Sequence, residues 1–155
     1  MESRFGPENT GKWYDESDLA FLVNAYDGYA IEEAVRLKEA TEDCDITVIA
    51  HGQDRVVESL KKSLAIGADR AMHIKDDAPY EKDSFQLASM YATFTEDKKF
   101  DIVFIGMQST DLGSAEIGVF IAEALKIPSV TTAVEFTLGE GEITVRRELE
   151  GGERG

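Results

Sequence analysis

Residues 106–118 carry the residue types from which a phosphate site could be built. Their sequence, Gly-Met-Gln-Ser-Thr-Asp-Leu-Gly-Ser-Ala-Glu-Ile-Gly, holds three glycines, two serines and a threonine between an apolar run and a helical pattern. Such a loop offers backbone N–H groups and the positive end of a helix dipole to a phosphate. A strand-to-helix loop with Ser114 as the helix N-cap would have the same composition without a ligand. The sequence therefore indicates a phosphate loop and leaves a plain helix cap as the alternative.

A second candidate is His51, which follows the β-branched run of residues 45–50. In open parallel sheets, ligands bind beyond the carboxyl ends of the strands. We therefore expect His51 and the loop at 106–118 to share one edge of a sheet. His73 lies in an apolar extended segment and is expected to be a packed structural residue.

The familiar catalytic motifs are missing from the sequence. It contains neither a Walker A sequence nor a GxGxxG fingerprint. The two histidines, His51 and His73, have no neighbour at metal-ligand spacing, so we expect no metal site. Ser109 and Asp111 are not accompanied by a glycine-flanked nucleophile elbow, so we expect no catalytic residues.

The composition limits the class of protein. A chain of 155 residues is long enough for one domain. Its net charge of −15 repels phosphate backbones and anionic lipids, so nucleic acid and membrane insertion are not expected. The same charge suits a halophilic cytoplasm or an acidic docking face. Cys44 is the single cysteine, which excludes an internal disulfide and favours the cytoplasm.

Hydrophobic periodicity predicts a single α/β domain, with a loop at 1–18, a core at 19–130 and a hairpin region at 131–155. Strands are expected at 19–23, 45–50, 71–74 and 101–106, the second of them buried on both faces. Helices are expected at 28–41, 56–66, 85–94 and 115–125, the last of them ended by Pro128. Residues 134–138 and 142–149 read as a β-hairpin joined by Gly139-Glu-Gly141. The alternation of strands and helices predicts a parallel sheet with helices on both faces.

Three long segments have counterparts in one known family. Residues 24–39, Asn-Ala-Tyr-Asp-Gly-Tyr-Ala-Ile-Glu-Glu-Ala-Val-Arg-Leu-Lys-Glu, match Asn-Pro-Tyr/Phe-Asp-Glu-Tyr-Ala-Ile-Glu-Glu-Ala-Leu-Arg-Leu-Lys. Residues 63–74, Ser-Leu-Ala-Ile-Gly-Ala-Asp-Arg-Ala-Met-His-Ile, match Ala-Leu-Ala-Met-Gly-Ala-Asp-Arg-Ala-Ile-His-Ile. Residues 145–152 match the start of the family signature. The chain thus resembles the β subunit of electron transfer flavoprotein.

The resemblance implies a Rossmann-like, doubly wound sheet of the adenine nucleotide α-hydrolase-like type. It also implies an electron carrier rather than an enzyme, which pairs with an FAD-carrying α subunit and passes electrons from flavin dehydrogenases to a quinone oxidoreductase. The β subunit's own site would hold AMP, or a second FAD in bifurcating members. By position, its contacts would be Asn24, Ala25, Tyr26, Asp27, His51, Gly106, Met107, Gln108, Ser109, Thr110, Asp111, Leu112, Gly113, Ser114, Ala115, Glu116 and Ile117.

Two departures from the family pattern leave alternatives open. Glu116 stands where the family usually carries Gln, and a carboxylate there would repel a phosphate. The chain also lacks the family's first apolar strand and stops inside the signature, so we expect a fragment at both ends. A universal-stress-protein-like module that binds adenine nucleotides alone, or a degenerate subunit without a ligand, remain the alternative functions.

Overall fold

The computed structural model describes residues 22–41, 43–78, 81–109 and 115–149. In chain order the elements are α1 (Ala25–Ala40), β1 (Thr47–Gly52), α2 (Val56–Ile66), β2 (Arg70–Lys75), α3 (Ser84–Thr95), α4 (Ile117–Leu125), β3 (Ala133–Leu138) and β4 (Ile143–Arg147). A short 3-10 helix, Glu96–Lys98, extends α3. None of the helices in the described ranges is long and apolar enough to cross a membrane.

The unit β1–α2–β2 is the parallel part of the fold. β1 and β2 pair in parallel from Thr47 opposite Arg70 to Gly52 opposite Lys75. Helix α2 is amphipathic and contacts both strands. It ends at Gly67, whose φ of 144° lies in the region that favours glycine. The predicted strands, helix and parallel pairing are confirmed here.

Asp69 connects this unit to α1. Its Oδ2 accepts a hydrogen bond from the Ile46 backbone N–H at 2.8 Å, and its Oδ1 forms an ion pair with Lys38 of α1. The Ile46 N–H and then the Lys38 ammonium lower the pKa of the Asp69 carboxyl. One aspartate thereby fixes both the start of β1 and the position of α1.

Helices α3 and α4 pack against each other, with Phe85 and Phe120 in edge-to-face contact at 6.2 Å between ring centroids. A capping box starts α3, since Asp83 accepts from the Gln86 N–H and Gln86 accepts from the Asp83 N–H. Helix α4 ends through a left-handed Lys126, two residues before Pro128. The predicted end of this helix at Leu125 is confirmed, and the left-handed Lys126, rather than Pro128, is where the chain leaves it.

The buried apolar side chains of the described residues lie on α1, α3 and α4 and in the β1–α2–β2 unit. They are Ile31, Ile46, Leu60, Ala68, Ala88, Ala92, Ile121 and Ala122.

The predicted hairpin is confirmed. β3 and β4 are antiparallel, with Phe136 opposite Val145 and Leu138 opposite Ile143. The turn is closed by a hydrogen bond from the Gly139 N–H to the Glu142 carbonyl, and Gly141 has a positive φ of 81°. Phe136 contacts Phe104 edge-to-face at 5.2 Å, which places the hairpin against residues 102–106.

Three further predictions need correction. Residues 102–105, read as the clearest strand, are not a strand, because nothing in the described part of the chain pairs with their backbone groups. Strand β1 is half-buried rather than buried on both faces, since β2 is its one paired neighbour there. Helix α1 begins at Ala25, three residues before Gly28. The expected strand at 19–23 lies outside the described residues except for its last two positions, which are not in a strand.

The buried side of α2 provides a test of the core. Leu60 is 5% exposed, whereas Leu64 on the same helix is 40% exposed. We expect Leu60→Ala to lower the free energy of unfolding by about 2–4 kcal/mol, because it removes a packed side chain and leaves a cavity. Leu64→Ala is the matched control, with an expected loss under about 1 kcal/mol. Urea denaturation of both variants measures this, and equal losses would contradict the packing of α2.

Candidate functional site

The first turn of α1 is hydrogen-bonded to the segment that follows residue 105. The Asn24 amide donates to the Gln108 carbonyl at 2.8 Å, and the Gly106 backbone N–H donates to Asp27 Oδ1 at 2.9 Å. The Asn24 amide also lies 3.2 Å from Asp27 Oδ2. We call these four residues the α1–loop bracket. It brings two of the sequence-predicted site segments, 24–27 and 106–109, into direct contact.

Gly106 is required by this close approach. A Cβ at residue 106 would lie 2.3 Å from Asp27 Oδ1 and 2.8 Å from the Asp27 backbone nitrogen. Both distances are below the 3.0 Å that Cβ contacts essentially always exceed, so a side chain at residue 106 would break the bracket. The glycine therefore permits two backbone segments to touch, which is a different role from presenting an N–H to a phosphate.

His51 lies at the carboxyl end of β1, next to Tyr91 of α3. The His51 Nδ1 and the Tyr91 hydroxyl are 3.1 Å apart, and the rings meet edge-to-face at 5.7 Å. Burial lowers the pKa of His51, the charge of Asp76 opposes this, and Lys82 and His73 lower it further. The imidazole of His51 is thus held in its neutral form near pH 7.

Tyr91, the partner of His51, is a buried phenol. Its pKa is raised to about 12, chiefly by burial, with the backbone N–H of His51 acting against the rise and the negative charge of Asp27 contributing to it. The phenol is therefore protonated at any physiological pH. Tyr91 thus contacts His51 directly, and its pKa responds to the charge of Asp27 in the bracket.

The other ring nitrogen of His51 stands out. Nε2 is buried and has no hydrogen-bond partner among the described residues. The second histidine differs, since His73 Nε2 lies 2.8 Å from the Gly52 carbonyl oxygen, as expected of a packed structural residue.

The N-terminus of α4 comes close to the same segment. Glu116 is the N-cap residue, without a side-chain capping bond, and the helix begins at Ile117 rather than at the predicted Ala115. Gly118, in the first turn, lies beside Ile105, whose side chain would contact a Cβ at residue 118 from 3.6 Å. The middle of the predicted loop, Thr110, Asp111, Leu112, Gly113 and Ser114, lies outside the described residues.

Two other predicted site residues, Tyr26 and Met107, have exposed side chains. Tyr26 and Met107 are 39% and 46% exposed. Within the described ranges no group of three or more His, Cys, Asp or Glu side chains converges as a metal site would require. Sequence reasoning missed Tyr91, because it lies 40 residues from His51 and no local pattern connects the two.

Gly106 of the bracket and Gly28 of α1 make a matched pair of variants. We expect Gly106→Ala to lower the free energy of unfolding by about 1–3 kcal/mol, because the new methyl group displaces the Asp27 carboxylate. Gly28→Ala, in α1, meets nothing within 4 Å and should raise stability by up to about 1 kcal/mol.

Urea denaturation gives both values, and NMR of the Gly106 amide reports whether its bond to Asp27 is lost. A Gly106→Ala variant as stable as the wild type would contradict the bracket.

Comparison with known proteins places the chain in a family. The profile of the family described as "Electron transfer flavoprotein domain" matches residues 12–154. The chain is 35% identical to the electron transfer flavoprotein subunit beta of Methylophilus methylotrophus, over 98% of this chain and 59% of that protein. The subunit beta of Bacillus subtilis is 33% identical, over 92% of this chain and 55% of the relative.

The human subunit beta is 32% identical over 98% of this chain and 60% of the relative. The chain therefore spans about three fifths of the length of such relatives. Since the family profile covers nearly all of it, the chain belongs to the electron transfer flavoprotein family, and its relatives there are β subunits.

Proposed function

We propose that this chain is the nucleotide-binding part of an electron transfer flavoprotein β subunit. It pairs with an FAD-carrying α subunit, and the complex carries electrons from flavin dehydrogenases to a quinone oxidoreductase. The chain itself is not an enzyme. The observation that carries the proposal is the family match over residues 12–154, a range that contains every predicted contact residue and the α1–loop bracket.

The same match supports a finer description of the fold. We propose that β1 and β2 belong to a Rossmann-like, doubly wound parallel sheet, and that residues 1–155 form one nucleotide-binding domain with the hairpin at its end. The β1–α2–β2 unit supports this, because such parallel units build doubly wound sheets. The single cysteine supports a location in the cytoplasm.

The proposed ligand is AMP, or the AMP half of a second FAD. His51 Nε2, buried without a partner in the described ranges, fits a hydrogen bond to such a ligand. The first turn of α4 would supply N–H groups to a phosphate, with Glu116 acting against it. A flavin supplies the electron transfer itself, and the residues of this chain bind and orient the nucleotide.

Co-expression tests the partner. With an electron transfer flavoprotein α subunit from the same organism, the chain should purify as a yellow one-to-one complex that contains FAD. The Gly106→Ala variant should give less complex, because the bracket positions α1 and the loop, whereas the Gly28→Ala control should match the wild type. A chain that purifies alone as a homodimer with bound ATP would instead support the alternative function, a universal-stress-protein-like module.

Glu116 provides the test of the ligand position. We expect Glu116→Gln to bind AMP about fivefold more tightly in isothermal titration, because the neutral amide removes a repulsion of about 1 kcal/mol. Glu123→Gln, near the other end of α4, removes the same charge away from the site and is the control. Unchanged affinity in the Glu116 variant would show that the phosphate does not lie at this helix end, and absence of AMP binding in every form would favour a degenerate subunit.

A further inference from the structure

The contact between His51 and Tyr91 defines which proton the imidazole carries. Neutral histidine has one N–H, on Nδ1 or on Nε2, and the partner of one nitrogen selects the other. Here Nδ1 lies 3.1 Å from the Tyr91 hydroxyl, and Nε2 is buried without a partner in the described part of the chain. The question is therefore whether the phenol donates or accepts.

The chemistry of the two groups favours donation. A phenol O–H is a stronger donor than an imidazole N–H, and an imidazole nitrogen is a stronger acceptor than a phenol oxygen. Burial keeps the phenol protonated, so it has a hydrogen to donate. We therefore assign that hydrogen to Nδ1, which lies 3.1 Å from the phenol oxygen. The ring proton of His51 is then on Nε2.

The charged neighbours of His51 do not use that proton. Asp76 Oδ2 forms an ion pair with Lys82 at 2.8 Å, and Asp76 Oδ1 accepts from the Ala78 N–H at 3.0 Å. His73 is directed to the Gly52 carbonyl. A buried N–H without an acceptor costs free energy, so a ligand oxygen that accepts from it would be bound preferentially.

We propose that Tyr91 is a positioning residue, which holds His51 in the tautomer protonated at Nε2 so that His51 donates a hydrogen bond to an oxygen of the bound nucleotide. This inference deepens the proposed function and rests on it for the identity of the ligand. The accepting oxygen belongs to the phosphate or to the ribose, which share the same acceptor chemistry. No residue of α3 was among the contacts predicted from the sequence.

The tautomer is tested first, without any ligand. Long-range ¹H–¹⁵N NMR of the imidazole side chains in the chain of 155 residues should show His51 protonated at Nε2. Tyr91→Phe keeps the ring and removes the hydroxyl, and should turn His51 into a mixture of tautomers. His73 is the internal control and should not change, because its contact with Gly52 is independent of Tyr91. Tyr29→Phe, which alters an exposed tyrosine of α1, should leave both histidines unchanged.

Titration with AMP, adenosine and inorganic phosphate then tests the ligand. Tyr91→Phe should weaken AMP binding about 3- to 10-fold, the effect of one neutral hydrogen bond, with an unchanged circular dichroism spectrum. An equal loss with adenosine would assign the accepting oxygen to the ribose, and a loss confined to AMP would assign it to the phosphate. In the wild type, AMP should also shift the His51 Nε2–H resonance.

The outcomes separate this inference from the proposed function. A wild type that carries its His51 proton on Nδ1, or a Tyr91→Phe variant with an unaltered tautomer, overturns the role of Tyr91 whatever binds. Unchanged AMP affinity in Tyr91→Phe overturns the donated hydrogen bond. A wild type that binds neither AMP nor adenosine overturns the proposed function and the ligand half of this inference, while the NMR result still decides the tautomer.

Discussion

The hydrogen bond from the Gly106 N–H to the Asp27 carboxylate is the contact on which the site depends. It joins residues 79 positions apart and holds the start of α1 against the segment after residue 105. It requires a carboxylate on the first turn of a helix, where the dipole favours an acid, and a residue without a side chain opposite it. Together with the bond from the Asn24 amide to the Gln108 carbonyl, this pair positions both predicted contact segments.

Residues 102–105 show that a sequence with high β-strand propensity does not form a strand unless its backbone is paired. The run Ile-Val-Phe-Ile is β-branched and apolar, but strand geometry persists when neighbouring backbones satisfy its N–H and C=O groups. In the described part of the chain its contacts are made by side chains instead. Phe104 meets Phe136, Ile105 lies beside Gly118, and the segment ends at the bracket. These contacts place the segment without pairing it.

The sequence predicted the helices and strands, because local patterns of residues determine them. Helical spacing located α1, α2, α3 and α4 to within three residues, and β-branched runs with glycine turns located β1, β2 and the hairpin. Contacts between distant residues were out of reach, as with the Asp69 bond to Ile46 or the pairing of Tyr91 with His51. Asn24 and Asp27 were predicted as site residues from the family resemblance alone, because their local sequence does not indicate a partner 79 to 84 residues away.

The electrostatics of the candidate site follow from its lack of positively charged residues. None of the predicted contact residues is Lys or Arg, and Asp27, Asp111 and Glu116 add negative charge to a chain of net charge −15. A phosphate would therefore be bound by neutral donors: backbone N–H groups, amides and an imidazole kept uncharged by burial. Such donors act over hydrogen-bond distance, whereas the repulsion from the acidic surface is screened by salt over about 8 Å at physiological ionic strength. Added salt should then weaken the opposing interaction more than the binding one, the reverse of what a lysine-lined phosphate site shows.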